Sequence, residues 1–342
     1  MRWLLPAIAA AVFLVSAASG GAGANTRSLH RHRVATSYPA AAGHRIVGFA
    51  LDRDWLVIAE DPVAPGTCPA VVLARLPSGR PRQLTRPGGE SCRFGGRFWV
   101  RPGMRAIGNA ITRALWVLRR GSRAEAVKAS PSEREALLVR VTGITADRGP
   151  FLGPVVATNW LRLFGDYTRG MDGVLVGGAI SANDRELWAA SGPVLPLGLD
   201  DDEHAVAVGA DGSIAMWQAH GAHYGVVPDA HARTAAVDNG LVYVLRADRP
   251  QLDVRRLSGE LVHSWPIADG AAPLLDVDGD DAVYLAGKAV HELNLEDGGD
   301  RVVARAPAGS TLIDTQIEKR FLAYAYRGGG GASGGRVVVL PR

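Results

Sequence analysis

Three tyrosines, Tyr243, Tyr284 and Tyr324, stand 41 and 40 residues apart, each inside a short apolar run of the same kind: LVYVL, AVYLA and LAYAY. A bulky side chain returning at such a period marks one supersecondary unit copied along the chain, not a single continuous core. Around Tyr284 the unit is complete. Four short runs (Leu274 to Val277, Ala282 to Ala286, Ala289 to Leu295, Arg301 to Ala304) are parted by turn segments. Asp278-Gly279-Asp280-Asp281 offers tolerance of positive φ and side-chain acceptors, which favour a tight turn between strands. Glu296-Asp297-Gly298-Gly299-Asp300 does the same further on. The pattern recurs over residues 235–265 and 312–340. Four strands in about 40 residues make a unit the size of one propeller blade. One large aromatic per unit suits sheets that stack about 10 Å apart.

The remaining chain, read in the same terms, predicts an all-β fold: a single β-propeller of about seven four-stranded blades, with six or eight also compatible. Blade one spans His44 to Arg86, with RIVGFAL, WLVIAE, AVVLARL and RQLT as strands. Pro87 to Pro102 is glycine-rich and reads as an inter-blade loop. Blade two runs from Met104 to Gly143. Within it, Ser132-Glu133-Arg134-Glu135 before ALLV fits a helix-opening capping box, so residues 131–142 read equally as helix or strand. Blade three covers Gly153 to Ala190, with GVLVGGAI as one of its strands. Blade four is the shortest: HAVAVG, SIAMWQA and YGVVP, turned by Asp211-Gly212. The last blade shows only LIDTQ, RFLAYAY and RVVVL. RVATSY, at residues 33–38, is a candidate fourth strand that closes the ring and covers an otherwise open edge.

Residues 1–24 read as a cleaved signal peptide, with Arg2 as the basic start, an apolar stretch from Leu4 to Val15, and Ala22-Gly23-Ala24 as the cleavage pattern. Residues 25–43 form an N-terminal arm, and 44–342 the propeller. The apolar stretch is too short for a convincing membrane span. The expected compartment is therefore outside the cytoplasm, secreted or in the periplasm or cell envelope. Two cysteines, Cys68 and Cys92, fall in the exported part, and an even count in an oxidising compartment predicts a disulfide between them. The 35 arginines against three lysines follow a GC-rich codon bias more simply than a polyanion surface. Net charge is only +4. The basic stretch 101–148 lacks interleaved aromatics apart from Trp116, so no nucleic acid is expected.

LVYVLRADRPQLDVRRLSGELVHSW, residues 241–265, resembles the repeats of quinoprotein-like and WD-repeat-like β-propellers, in which a VYV strand precedes a second strand, a serine-glycine turn and a tryptophan. AVYLAGKAVHELNLEDGG, from Ala282, resembles it less completely. The resemblance implies envelope scaffolds, ligand sensors or quinone-dependent dehydrogenases. The unit from Ala282 ends in VVARAP with no counterpart of Trp265. That departs from the tryptophan docking repeat of cofactor-binding members, and no cofactor is expected.

Other motifs carry little chemistry. Gly331-Ala332-Ser333-Gly334-Gly335 spells a nucleophile elbow, but no histidine follows it. His220 and His223, with His204 and His231, are the densest histidine group, without an established zinc spacing. Asp276, Asp278, Asp280 and Asp281, and Asp200 to Glu203, read as acidic turns, since Gly279 is misplaced for a calcium loop. No catalytic, cofactor or metal residue is assigned. The function expected is a non-catalytic, monomeric binding or scaffolding module meeting a protein or small-molecule ligand at a propeller face. The alternative is a hydrolase or lyase with its site at the mouth of the central channel.

Overall fold

The computed structural model describes residues 36–64, 66–98, 107–109, 113–120, 123–129, 137–140, 173–176, 179–182, 185–189, 194–199, 204–209, 211–218, 224–328 and 334–342. Within them, strands account for nearly all regular structure, arranged in seven antiparallel sheets. Strand β1 is Thr36–Pro39. The first sheet holds β2 (His44–Asp52), β3 (Trp55–Pro62), β4 (Ala70–Arg75) and β5 (Arg82–Gln83) in that order. A short helix, α1 (Glu90–Phe94), follows. The second sheet contains β6 (Arg97–Phe98), β7 (Ile107–Asn109), β8 (Arg113–Arg120), β9 (Arg123–Ala129) and β10 (Leu137–Arg140), with β6 and β7 both paired to β8. The third has β11 (Gly173–Val176), β12 (Ala179–Ala182) and β13 (Arg185–Ala189). The fourth has β14 (Val194–Leu199), β15 (His204–Gly209), β16 (Ile214–Gln218) and β17 (Tyr224–Val227). The fifth comprises β18 (Ala232–Asp238), β19 (Leu241–Arg246), β20 (Gln251–Arg256) and β21 (Leu261–Pro266). The sixth comprises β22 (Ala271–Asp278), β23 (Asp281–Ala286), β24 (Ala289–Asn294) and β25 (Asp300–Arg305). The seventh joins β26 (Ser310–Glu318), β27 (Phe321–Gly328) and β28 (Arg336–Pro341) to β1, which lies outermost against β28.

The repeat units dictate these sheets. Strands buried on both faces need near-continuous apolar runs, and β23 is buried from Ala282 to Ala286. Asn239 and Gly240 both have positive φ, 49° and 72°, the backbone of a type I′ hairpin. Between sheets, side chains interlock. Tyr243 and Tyr284 share one apolar cluster spanning the fifth and sixth sheets. Tyr324 joins the next cluster, between the sixth and seventh. A further cluster joins the seventh sheet to the first: Tyr38 of β1 and Phe321, Val337 and Val339 pack with Ile46, Phe49 and Leu56. The three repeat tyrosines are 5%, 1% and 9% exposed, which is the wedge role their period predicts.

Three readings of the sequence need correction. The segment read as a loop from Pro87 to Pro102 holds α1 and β6, because ESCRF between Gly89 and Gly95 has no internal glycine and closes one helical turn. GVLVGGAI is not one strand but two, β11 and β12, paired with Val176 opposite Ala179. The fourth sheet gains β14, hidden in the sequence by Pro196 and Gly198, where the ladder skips a residue. Of the ambiguous segment 131–142, Leu137–Arg140 is strand, and the rest lies outside the described residues.

Candidate functional site

In the first, fifth, sixth and seventh sheets, β2, β18, β22 and β26 line up as inner strands running side by side: β18 packs on β22, β22 on β26, and β26 on β2. Their carboxy-terminal ends end in carboxylates: Asp52, Asp238, Asp278 and Glu318. Three of the links between neighbouring sheets are carboxylate-to-amide bonds. Asp238 accepts from the Gly279 amide at 3.0 Å, and Asp276 from the Ile317 amide at 2.9 Å. Asp278 accepts from the Lys319 amide. Between the seventh and first sheets Gln316 takes this part, accepting from the Leu51 amide at 2.8 Å and donating to the Phe49 carbonyl at 2.7 Å. Burial first, then the nearby Asp278, Asp52 and Asp276, pushes the Glu318 carboxyl up to about 7. Arg342 reaches Asp278, Asp281 and Glu292 at this end.

The opposite end, where inner strands begin and their hairpin partners finish, is rich in arginine. Arg233 donates to the Ala271 and Ala247 carbonyls, and Arg120 to the Phe94 carbonyl at 3.1 Å. Arg246, at the end of β19, grips Asp248 through Nε and Nη2 at 2.8 and 2.7 Å, and Asp253 through Nη1 at 3.0 Å. Asp253 is fully buried and also meets Arg255 at 3.3 Å and the Ser264 hydroxyl at 2.6 Å. The Arg246 hydrogen bond holds the Asp248 carboxyl down at about 2. Between the fifth and sixth sheets a cleft of about 160 Å³ opens here, lined by Arg233, Arg246, Arg249, Asp248, Asp269 and Ile267 among others. Its walls come from the connections at 247–250 and 267–270, so the fold positions them on the sheet edges.

A second polar group joins the same two sheets. The Tyr284 hydroxyl donates to Asp300 at 2.5 Å and accepts from the Ala268 amide at 2.8 Å, while His291 Nδ1 lies 3.0 Å from the other Asp300 oxygen. This ties a buried tyrosine to satisfied partners; it is a packing joint.

Sequence-level candidates fall as follows. Cys68 and Cys92 lie at disulfide distance, with Cα atoms 4.9 Å apart, at the arginine-rich end. His204 sits beside Gly240 and His231 at the other end of the strands, so these two do not meet; His220 and His223 lie outside the described residues. So do Asp200 to Glu203, Gly331 to Ser333, and most of 101–148. Among the described residues no group of three His, Cys, Asp or Glu side chains forms a metal site. Asp276 and Asp278 are inter-sheet links, and Asp278 and Asp281 pair with Arg342. No helix of the described residues is long and apolar enough to cross a membrane. Sequence reasoning missed the arginines. The available signal was register: Arg246 and Arg327 each stand three residues after a repeat tyrosine.

No protein-family model and no curated protein matches the chain. Solved structures do. A chain of the Mitotic Checkpoint Complex is 12% identical with a TM-score of 0.57, covering 98% of this chain and 99% of that one. Hsv2 of Kluyveromyces lactis is 12% identical with a TM-score of 0.49, covering 83% and 90%. The computationally designed Ika8 protein is 12% identical with a TM-score of 0.46, covering 88% and 97%. The first carries the fold: the chain is all-β, built largely of four-stranded antiparallel sheets, with propeller-like neighbours.

Proposed function

We propose that the chain is an exported, monomeric, non-catalytic β-propeller that holds a protein or small-molecule ligand at one face, as a binding or scaffolding module. The seven sheets are its blades, residues 44–342 its ring, and the arm at 25–43 supplies the strand that completes the last blade after residues 1–24 are removed. Carrying this reading is the cleft at the arginine-rich end. It brings connections of two sheets together around Arg233, Arg246 and Arg249, and polar groups converging from separate elements are what a ligand-binding mouth needs. The carboxylates at the other end support a non-catalytic role, since Asp238, Asp276 and Asp278 hold the next sheet's amides. The fold's presence in a multi-protein complex, as in the structural neighbour, accords with a module of this kind.

One observation favours an enzyme as the second reading. Glu318, pushed up to about 7 beside Asp278, Asp52 and Asp276, has the poise of a general acid. A photoreactive side chain at position 249, compared with one at 239 on the opposite end, separates the two in cells that export the protein. The binding reading expects adducts from 249 and none from 239. Adducts from neither position, together with a hydrolytic turnover that Glu318→Gln abolishes, would replace it by the enzyme.

A further inference from the structure

The cleft between the fifth and sixth sheets is built from two short connections that hold each other. The Ile267 amide donates to the Pro250 carbonyl at 3.1 Å, which joins the connections. The Gln251 amide donates to the Arg249 carbonyl at 2.9 Å, closing a three-residue turn around Pro250 that fixes the backbone at Arg249. Ile267 and Pro250 give the cleft an apolar strip among its charged groups. A Cβ at Gly270 would meet no atom within 4 Å, so the space over that wall is open. Ala247 to Pro250 and Asp269 are all exposed, which leaves the rim accessible.

Five charged side chains line this cleft: Arg233, Arg246, Arg249, Asp248 and Asp269. Arg246 is answered from within the protein. It pairs with Asp248 at 2.7 Å and Asp253 at 3.0 Å, and Asp253 also takes Arg255 at 3.3 Å. Those two guanidiniums and two carboxylates balance. What remains is Arg233 and Arg249 against Asp269. Arg233 spends N–H groups on the Ala271 and Ala247 carbonyls, which leaves its charge unmatched. Among the described residues, the side chains of Arg249 and Asp269 make no hydrogen bond or ion pair. The cleft therefore carries a surplus of one positive charge, with the whole fork of Arg249 unspent.

We propose, resting on the binding reading of this cleft, that it receives a carboxylate side chain of a partner protein, glutamate before aspartate. The planar fork of Arg249 matches both oxygens of a carboxylate, and Arg233 adds its charge from β18. One negative charge cancels the surplus. A phosphate dianion would exceed it, beside Asp248 and Asp269. Ile267 and Pro250 offer apolar contact to the methylenes of glutamate, which aspartate is too short to use. A cleft of about 160 Å³ takes one side chain, and its exposed rim leaves the remainder of a protein to pack outside. A free acid would forgo those outer contacts. Arginine clusters recognise acidic segments in this manner.

NMR titration of the full chain with N-acetylglutamate amide tests it, beside the isosteric N-acetylglutamine amide and the dianionic N-acetylphosphoserine amide. Saturable shifts are expected at the amides of Ile267, Asp269 and Gly270. The glutamine probe should bind at least about tenfold more weakly, and the phosphoserine probe no more tightly than glutamate. Arg249→Gln should weaken glutamate binding at least about tenfold, and Arg249→Lys, which keeps the charge and loses the fork, at least about threefold. Asp269→Asn should turn the preference toward phosphoserine. Arg320→Gln, in the turn after β26 at the opposite end, should change nothing. A photoreactive side chain at 247, which leaves Arg249 in place, reports whether any partner fills the cleft in exporting cells. Adducts that Arg249→Gln abolishes are expected. Adducts without saturable glutamate binding, or with equal binding of the glutamine probe, overturn the carboxylate assignment and spare the binding reading. Absence of adducts together with absence of probe binding overturns both.

Discussion

Replacing Glu318 by glutamine isolates the electrostatic load carried where the inner strands end. In the folded chain, burial first, then Asp278, Asp52 and Asp276, raises this carboxyl from 4.5 to about 7. The sign follows from proton counting. Between about pH 4.5 and 7 the unfolded chain has released this proton while the folded chain still holds it, so rising pH favours unfolding across that window. The associated stability is fully present below about pH 4.5 and lost by about pH 7, after which the loss is constant. A shift of this size corresponds to at most about 3 kcal/mol, and partial solvent access reduces it to about 1–2 kcal/mol. Glutamine keeps the shape and cannot ionise. The Glu318→Gln variant should therefore match the parent near pH 4.5 and exceed it by about 1–2 kcal/mol at pH 8. Urea unfolding followed by tryptophan fluorescence at the two pH values measures the difference. Equal gains at both pH values, or none at pH 8, would refute the electrostatic account, because a packing effect carries no pH dependence of this form.

Gly298, at φ 74°, leaves no room for a side chain, since a Cβ there would fall 2.5 Å from the Trp265 ring. Gly298→Ala should destabilise by about 2–3 kcal/mol and shift tryptophan emission, both read in one thermal melt. Asp276→Ala removes the acceptor of the Ile317 amide and should cost about 1–3 kcal/mol; Asp276→Asn, which keeps an oxygen, should recover most of it in the same denaturation assay. Linking Cys68 to Cys92, 24 residues apart, should contribute about 3 kcal/mol through the closed loop. Peptide mapping without reductant should recover the linked pair, and the Cys68→Ser/Cys92→Ser double variant should melt lower in proportion.

The repeat around Tyr243, Tyr284 and Tyr324 was legible because one physical demand, a bulky wedge between stacked sheets, leaves a side chain at a fixed interval. The chain between 87 and 200 was less so. There, Pro196 and Gly198 interrupt the alternation that betrays a strand, and Gly177-Gly178 hides a reversal inside one apolar run. The candidate site was legible in composition and not in position. Arginine abounds in the sequence, and only cross-strand register separates Arg246, answered by Asp253, from Arg327, whose sheet has Val337 at the register position that Asp253 holds. Pairings between residues 265 or more apart, such as Gln316 with Leu51, leave no local trace at all.

Much of the charge separation between the two ends is built into the way neighbouring sheets join. The last residues of the inner strands and the turns leaving them present backbone amides to the adjoining sheet, as Ile317, Gly279 and Lys319 do, and an amide calls for a carboxylate. At the other end the start of β22 presents the Ala271 carbonyl to the adjoining sheet, and a carbonyl calls for a guanidinium, here that of Arg233. Acid at one end and arginine at the other are thus the structural requirement of sheets held together by side-chain-to-backbone bonds. Function is then to be sought in what this requirement does not consume. Arg233 and Arg120 are consumed by carbonyls, and Arg246 by Asp248 and Asp253. Arg249 on the cleft wall and the Nε groups of Arg45 and Arg327 are not engaged by any described residue. The arginine not consumed in this way, on the connections between the fifth and sixth sheets, lies at the arginine-rich end, which is where an anion would be met first.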